Sequence, residues 1–297
     1  MTSTGHVVAP RSDAHMPSEG SLLDLLQRGA DYLAKHDIDN ARREAEWIFA
    51  EGLGLSRLEL YTRFDMPVAE PERLMLRERI QRRGQREPLA YVLGTQPFCG
   101  LDLTVGPDVL VPRPETEELV ELVSADLAQA GAGDRILDVG TGSGAIALAL
   151  CQRHSVCEVH ATDLSAAALE VARANAERHQ LTLTFHKGHL ATELPGDWRM
   201  VVANLPYIGD NERQLCDPEL DYEPQQALFA PDEGMALVRE LIADAPRLLG
   251  AAGVLWLEHG FAQAERVAAC CAEHGLQCRH EADGAGHLRF TRAWSDG

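Results

Sequence analysis

The first third of the chain carries apolar residues at the three- and four-residue intervals of amphipathic helices. One helix is marked by Leu22, Leu25, Leu26, Ala30 and Leu33, with Ser21 as its expected N-cap. A second is marked by Ala41, Ala45, Ile48 and Phe49, and Pro71 suits the first turn of a further helix. The pattern predicts a small helical domain over residues 21–93, preceded by a flexible tail over residues 1–20.

Residues 94–114 replace the helical spacing with alternation. Phe98, Leu101, Leu103 and Val105 are apolar, the Gly106–Asp108 segment has turn residues, and apolar residues 109–111 follow. This order predicts a β-hairpin that links two domains. Thr116 is the expected N-cap of the next helix, within a second domain over residues 115–297.

From residue 135 onward, short apolar runs alternate with helical patterns. The expected strands are Ile136–Val139, Val156–Thr162, Leu181–Phe185, Met200–Ala203 and Val254–Leu257. The expected helices are Ala145–Arg153, Ala166–His179, Met235–Leu249 and Phe261–His274, and Gln277–His280 and His287–Ala293 are expected to add two antiparallel strands. Such alternation predicts an α/β domain with a mainly parallel sheet that is covered by helices on both faces.

A glycine-rich segment follows the first of these strands. It comprises Gly140, Thr141, Gly142, Ser143 and Gly144, and glycines allow a tight turn and close approach of the backbone to a ligand. Asp163 ends the next strand, where a carboxylate can accept both hydroxyls of a ribose. Asp138 is expected to meet a ligand ammonium, directly or through water. A nicotinamide site or a purely structural turn remains possible, although dinucleotide sites use G-x-G-x-x-G spacing.

The segment Asn204-Leu205-Pro206-Tyr207 follows another strand, at the sheet edge where ligands of open α/β sheets bind. Asn204 Oδ1 and the Leu205 carbonyl can accept both N–H bonds of a planar NH2 group, and Tyr207 can stack on it. Beside a methyl donor, this arrangement would aim the nitrogen at the methyl carbon. The alternative is an ordinary turn, because Asn and Pro are common turn residues.

The overall charge weighs against a nucleic-acid partner. The chain has 27 basic and 46 acidic residues, a formal charge of −19, whereas binding a polyanion usually needs a basic face. The arginines between residues 77 and 86 are a local exception, which we interpret as the solvated face of a helix. Seven cysteines without a C-x-x-C pair predict reduced thiols and no metal site. No apolar run suits a signal peptide or membrane span, so we expect a cytoplasmic monomer.

Several segments in order resemble the HemK/PrmC family, which transfers a methyl group from S-adenosylmethionine to the side-chain N5 of glutamine in the GGQ loop of class I peptide chain release factors. They are Pro88–Gly94, Val109–Glu117, the DVGTGSGAIALAL run from Asp138, Asn204–Ile208, Tyr222–Pro224 and Leu257–Gly260. The resemblance covers residues from about 22 to 292. It implies a Rossmann-like class I methyltransferase domain with a seven-stranded sheet, and a helical N-terminal domain that helps hold the release factor.

By position, the resemblance assigns residues to two subsites. The donor would be held by Gly140 to Gly144, Asp163 and Asn204. To these we add Asp138, from its place at the end of the first strand, and His189, which is expected to border the adenine. The substrate glutamine would meet the catalytic segment from Asn204 to Tyr207. Phe98 matches an aromatic near the reacting centre, although packing within the hairpin explains it equally well. His189 stands where the family often has an acidic residue and an aromatic, so a loop histidine without a role is the alternative.

One departure from the family and three rival functions remain. The family usually has Pro where this chain has Leu205, but a backbone carbonyl survives that change, and Pro206 still favours extended geometry before it. Arg113 to Glu117 favour the release-factor branch over the related enzyme for a ribosomal-protein glutamine. The other rivals are a nucleic-acid amino-methyltransferase acting on a flipped base and a donor-binding protein without activity.

Overall fold

The computed structural model describes residues 20–295, in which the chain divides into two compact units between Arg86 and Glu87. The tail expected over residues 1–20 lies outside the described residues, except for Gly20. Within residues 20–295, every helix is too short or too polar to cross a bilayer.

Residues 20–86 of the first unit contain four helices, α1 (Leu22–Ala34), α2 (Ala41–Leu53), α3 (Arg57–Thr62) and α4 (Glu70–Gly84). The predicted cap of α1 is confirmed, because Ser21 Oγ accepts a hydrogen bond from the Asp24 N–H. Pro71 lies in the first turn of α4, as predicted. The expected apolar stripe forms the core of this unit, with Leu22, Leu26, Leu33 and Ile48 fully buried.

The arginine-rich face of α4 is not simply solvated, contrary to the sequence interpretation. Arg83 is buried and forms an ion pair with Glu44 on α2, and Arg79 pairs with Glu51 on the same helix. Since charged side chains are buried only when they are paired, two of these arginines pin α4 to α2.

The second unit alternates strands and helices. Its helices are α5 (Leu89–Leu93), α6 (Pro114–Asp126), α7 (Ala145–Arg153), α8 (Ala166–Arg178), α9 (Ala236–Leu248) and α10 (Ala264–Glu273). Its strands are β1 (Thr95–Phe98), β2 (Leu101–Thr104), β3 (Arg135–Val139), β4 (Glu158–Asp163), β5 (Thr184–Lys187), β6 (Trp198–Asn204), β7 (Ile208–Gly209), β8 (Phe229–Ala230), β9 (Leu249–Glu258), β10 (Gln277–Ala282) and β11 (Leu288–Trp294).

Seven of these strands form one sheet in the order β10-β11-β9-β6-β3-β4-β5. Strands β9, β6, β3, β4 and β5 are parallel, and β11 pairs antiparallel with both β9 and β10. The predicted mainly parallel sheet with two antiparallel strands at its end is therefore confirmed.

Each face of the sheet has its own apolar core. Met200 and Val202 of β6 belong to the cluster that includes residues of α6 and α7, whereas Val201 and Ala203 belong to the cluster with residues of α9 and α10. Side chains alternate across a strand, so a strand between two helical layers must be apolar at every position. This explains the continuous apolar run that ends at Asn204.

Two local predictions are wrong. Helix α6 begins at Pro114, whose fixed φ suits the first helical position, and Thr116 lies within the first turn instead of capping it. The hairpin turns at Cys99-Gly100, where both residues have positive φ, and pairs Phe98 with Leu101. Residues 106–109 do form a turn, closed by Val109 N–H to the Gly106 carbonyl, but residues 109–111 are not a strand.

Candidate active site at the carboxyl ends of the central strands

A cavity of about 180 Å³ lies where the loops after β3, β4 and β6 meet. These strands are neighbours in the sheet, and the chain leaves β3 toward β4 on one side and returns to β6 on the other. Ligands of open α/β sheets bind at such switch points. The cavity is lined by Gly140–Ser143, Thr162–Ser165 and Asn204–Pro206, together with residues of two outer loops.

The glycine loop is held against the end of β4. The N–H groups of Gly140 and Thr141 both donate to the Thr162 carbonyl, at 2.9 and 3.0 Å. Gly140 has φ of +76°, and a Cβ there would lie 2.9 Å from Leu205 Cδ2. The loop therefore needs glycine at this position, both for its backbone conformation and for its close packing on Leu205.

Asp163 connects this loop to the start of α8. Its Oδ2 accepts from the Gly142 N–H at 2.9 Å, and its Oδ1 accepts from the Ser165 N–H at 2.8 Å. Burial raises the pKa of the carboxyl, while these backbone N–H groups oppose that shift. A carboxylate oxygen has two lone pairs, so each oxygen can still accept a ligand hydroxyl.

Asp138 lies behind the loop and does not line the cavity, which excludes the predicted direct contact with a ligand in this conformation. Its Oδ2 accepts from Thr141 Oγ1 at 2.6 Å and from the Ala147 N–H at 3.1 Å. Its Oδ1 is buried without a hydrogen-bond partner among residues 20–295. Burial raises its pKa to about 7. Asp138 is therefore an acidic group that reaches the cavity through Thr141.

Gly144 is also absent from the cavity wall. It has φ of +84°, and a Cβ there would lie 3.0 Å from Leu148 Cδ1 and 3.2 Å from Ala172 Cβ. This glycine lets α7 start close to α8, so the structure gives it a packing role.

Asn204, Leu205 and Pro206 line the cavity beside the glycine loop. The Asn204 Nδ2 group donates to Thr116 Oγ1 at 3.0 Å, and Thr116 Oγ1 in turn donates to Glu258 Oε2 at 2.8 Å. Sequence reasoning missed this connection, because the three residues lie 88 and 142 positions apart.

Tyr207 does not line the cavity. Its hydroxyl faces Glu258 Oε1 at 3.4 Å, and its carbonyl accepts from Gln263 Nε2 at 2.8 Å. Burial raises the pKa of the Tyr207 hydroxyl, which keeps it protonated as a donor. The predicted stacking role is therefore not supported in this conformation.

Two outer loops complete the cavity wall, with Asp108–Leu110 and Pro112 on one and Pro224, Gln226 and Ala227 on the other. Glu223 joins them: its side chain is buried, accepts from the Val111 N–H at 2.9 Å and forms an ion pair with Arg113. Sequence analysis found Arg113 and Glu223 in segments that resemble the family but gave Glu223 no role. In the structure, the contacts of Glu223 with Val111 and Arg113 hold the two loops together.

The remaining site predictions differ in outcome. His189 lines the cavity and shares a hydrogen bond with Glu240 Oε1 at 2.8 Å.

Phe98 does not line the cavity. Its side chain is 1% exposed and packs in the core beside α6 and α7, which corrects the substrate-binding prediction in favour of hairpin packing. Among residues 20–295, Cys270 and Glu273 of α10 and His274, which follows the helix, form one group with metal-ligand spacing, and none of them lines the cavity.

Comparison with known proteins finds a family model that matches each part of the chain. Residues 24–94 match the model of the PrmC N-terminal domain, and residues 116–216 match that of the methyltransferase small domain. The release factor glutamine methyltransferase of Geobacter sulfurreducens is 40% identical over 254 residues, which cover 84% of this chain and 88% of that protein. The protein of the same name from Nitratidesulfovibrio vulgaris is 36% identical over 293 residues, 95% of this chain and 97% of that protein.

Among solved structures, the release-factor-specific protein-(glutamine-N5) methyltransferase of Alicyclobacillus acidocaldarius is 31% identical, with a TM-score of 0.41, and the match covers 66% of this chain and all of that one. The curated relatives match over nearly their whole length. With its seven-stranded sheet and class I methyltransferase fold, this chain belongs to the release factor glutamine methyltransferase family.

Proposed function

We propose that this chain transfers a methyl group from S-adenosylmethionine to the side-chain N5 of the glutamine in the GGQ loop of class I peptide chain release factors. One observation carries the proposal: Asn204 lies in the wall of the cavity that the glycine loop also lines, with its Nδ2 already bonded to Thr116. The amide oxygen is thereby left for the substrate.

The residues around the cavity fit the proposed donor. Asp163 has acceptor capacity on both carboxylate oxygens for the ribose hydroxyls, and Gly140–Ser143 offer a close backbone surface. His189 lies in the wall and would border the adenine. The buried, unpartnered Asp138 Oδ1 would face the ammonium group of the donor through a water molecule, and Thr141 lies between Asp138 and the cavity.

The reaction requires orientation more than a base. Asn204 Oδ1 and the Leu205 carbonyl would accept the two N–H bonds of the substrate amide, which fixes its plane and aims its nitrogen. S-adenosylmethionine supplies the methyl group as an electrophile whose sulfur leaves as a neutral thioether. As the N–C bond forms, the amide nitrogen becomes acidic and releases one proton to water. Such orientation contributes about 7–11 kcal/mol in well-placed reactions.

The partner and location follow from the same proposal. Release factors act on translating ribosomes, so we place the enzyme in the cytoplasm, acting as a monomer on a protein substrate that the helical unit helps to hold. The formal charge of −19 supports a protein substrate over a nucleic acid. Methylation of the GGQ glutamine would support translation termination.

The test incubates the protein with isotope-labelled S-adenosylmethionine and purified release factor, ribosomal proteins or nucleic acid in separate reactions. We expect label only in the release factor, and in a parallel reaction with unlabelled donor 14 Da added to the peptide that contains the GGQ sequence. Asn204→Ala should abolish transfer and keep much of the donor affinity, whereas Asn211→Ala, at an exposed asparagine, should change neither. Label entering only ribosomal protein or nucleic acid would refute the assignment.

A further inference from the structure

Two side chains that the proposed reaction does not use lie next to Asn204: Thr116, which lines the cavity, and Glu258, which does not. Glu258 ends β9 and pairs in register with Asn204 at the end of β6. Its side chain is 1% exposed, although ionised carboxylates are rarely buried without partners. Thr116, in the first turn of α6, lies between them and contacts both. Their position suggests a role in setting the orientation of the Asn204 amide.

The hydrogen-bond chemistry gives this chain of contacts one direction. Above the pKa of about 7 to which burial raises Glu258, its carboxylate is ionised and only accepts, so the single hydroxyl proton of Thr116 must go to Glu258 Oε2. The Thr116 oxygen can then only accept from Asn204, and the group that donates is Nδ2. A flipped amide would set Oδ1 against the Thr116 oxygen without a proton between them. The flip is therefore disfavoured, and Oδ1 is presented on the other side.

We propose that Glu258 and Thr116 are positioning residues that hold the Asn204 amide with its oxygen toward the substrate glutamine. The inference rests on the proposed function, in which that oxygen accepts a substrate N–H. Glu258 also accepts from the Tyr207 hydroxyl through its other oxygen, so one carboxylate fixes both ends of the Asn204–Tyr207 segment. It acts through other residues and touches neither substrate nor donor.

A matched pair of variants separates the hydroxyl from the shape of Thr116. Thr116→Val keeps the branched shape and removes the hydrogen bonds, whereas Thr116→Ser keeps the hydroxyl. We expect Thr116→Val to lower kcat for release factor methylation about 10- to 100-fold, as for a buried amide left unpaired, with little change in the donor Kd. Thr116→Ser should restore kcat to within about threefold. Thr62→Val, at an exposed threonine, controls for the substitution itself.

A second readout does not depend on turnover. The chain has four asparagines, so selective ¹⁵N labelling yields four side-chain amide signals, of which Asn204→Ala identifies the relevant one. The Asn204 signal should shift in Thr116→Val and remain in place in Thr116→Ser. If Thr116→Val does not fold, Glu258→Gln replaces it. The glutamine side chain can donate or accept, so it no longer fixes the direction of the Thr116 hydroxyl proton, and kcat should fall while the donor Kd stays unchanged.

The outcomes distinguish the two proposals. The positioning role would be overturned if the wild-type protein methylates release factor and Thr116→Val has a kcat within twofold of the wild type. An unshifted Asn204 signal in Thr116→Val would overturn it as well. A wild-type protein that methylates no release factor but shows the shift would overturn the proposed function and leave the amide orientation supported. A fall in kcat with the shift, rescued by Thr116→Ser, supports both.

Discussion

Replacing Asp163 by alanine tests the donor site most directly. The substitution removes a carboxylate whose two oxygens bind the N–H groups of Gly142 and Ser165, and which we propose to bind the ribose hydroxyls. The donor should therefore lose its ribose contacts while the cavity keeps its other walls. We expect weaker donor binding in a protein that still folds.

The magnitude follows from the bonds involved. A hydrogen bond to a charged group contributes about 1.5–3 kcal/mol, so the donor Kd should rise about 10- to 150-fold. The free energy of unfolding should fall by less than expected for the loss of two hydrogen bonds, those from the Gly142 and Ser165 N–H groups. Burial raises the pKa of this carboxyl, which means that the folded protein holds the charge at a cost, and alanine removes that cost together with the contacts.

Isothermal titration with S-adenosylhomocysteine measures this affinity without turnover, and thermal unfolding measures stability on the same samples. Asp102→Ala is the matched control, because Asp102 lies on β2 in an ion pair with Arg178 and does not line the cavity. Repeating the titration with an analogue that lacks the ribose 2′-hydroxyl closes a double-mutant cycle, in which a direct contact gives non-additive losses.

An unchanged Kd in Asp163→Ala would remove this residue from the donor site. Additive losses in the cycle would show instead that Asp163 acts only by holding the glycine loop through Gly142. A fall in unfolding temperature large enough to deplete folded protein at the titration temperature would contradict the balance of burial and contacts described above.

Three further predictions concern the other walls of the site. Gly140→Ala combines φ of +76° with a Cβ 2.9 Å from Leu205 Cδ2, so the free energy of unfolding in urea should fall by about 1–3 kcal/mol, and an unchanged midpoint would contradict this geometry. Leu205→Pro shortens a buried side chain but keeps the carbonyl, so kcat should stay within about threefold while stability falls by roughly 1–3 kcal/mol; a tenfold loss of kcat would contradict the carbonyl role. Burial raises the pKa of Glu258 to about 7, and the charge of Glu115 also raises it. The hydroxyl groups of Thr116 and Tyr207 and the charge of Arg289 lower it. Protonation below pH 7 gives Glu258 a proton to donate, so the Asn204 amide is no longer held in one orientation and kcat should fall as pH drops through 7. The same fall in Glu258→Gln would show that Glu258 is not the group that titrates.

The architecture of the second unit was predictable because its strands are buried on both faces. Continuous apolar runs such as Met200–Ala203, each followed by a helical pattern, are typical of parallel strands between helical layers. The glycine loop and Asn204 were predictable for a related reason, because polar or flexible residues directly after such runs can lie only at the sheet edge. These are properties of short stretches of sequence.

Features that depend on what packs against an element were not predictable. The run Leu181–Phe185 predicted a strand, but pairing with β4 begins only at Thr184 and continues to Lys187, although Leu181 and Leu183 already pack on the same core. Phe98 shows the same limit. Alternation indicated that one face of the hairpin is buried, and the covering surface turned out to be the core beside α6 and α7.

Thr116 shows why local rules fail where function is concentrated. Its position three residues into the Arg113–Glu117 segment suited an N-cap, but Pro114 already begins the helix, and this frees the threonine hydroxyl from the backbone. A capping hydroxyl accepts from its own helix, whereas the observed one joins residues 88 and 142 positions away. Because the helix begins at Pro114, the Thr116 hydroxyl is available to hold Asn204. We therefore expect replacement of Thr116 to reduce turnover without preventing folding.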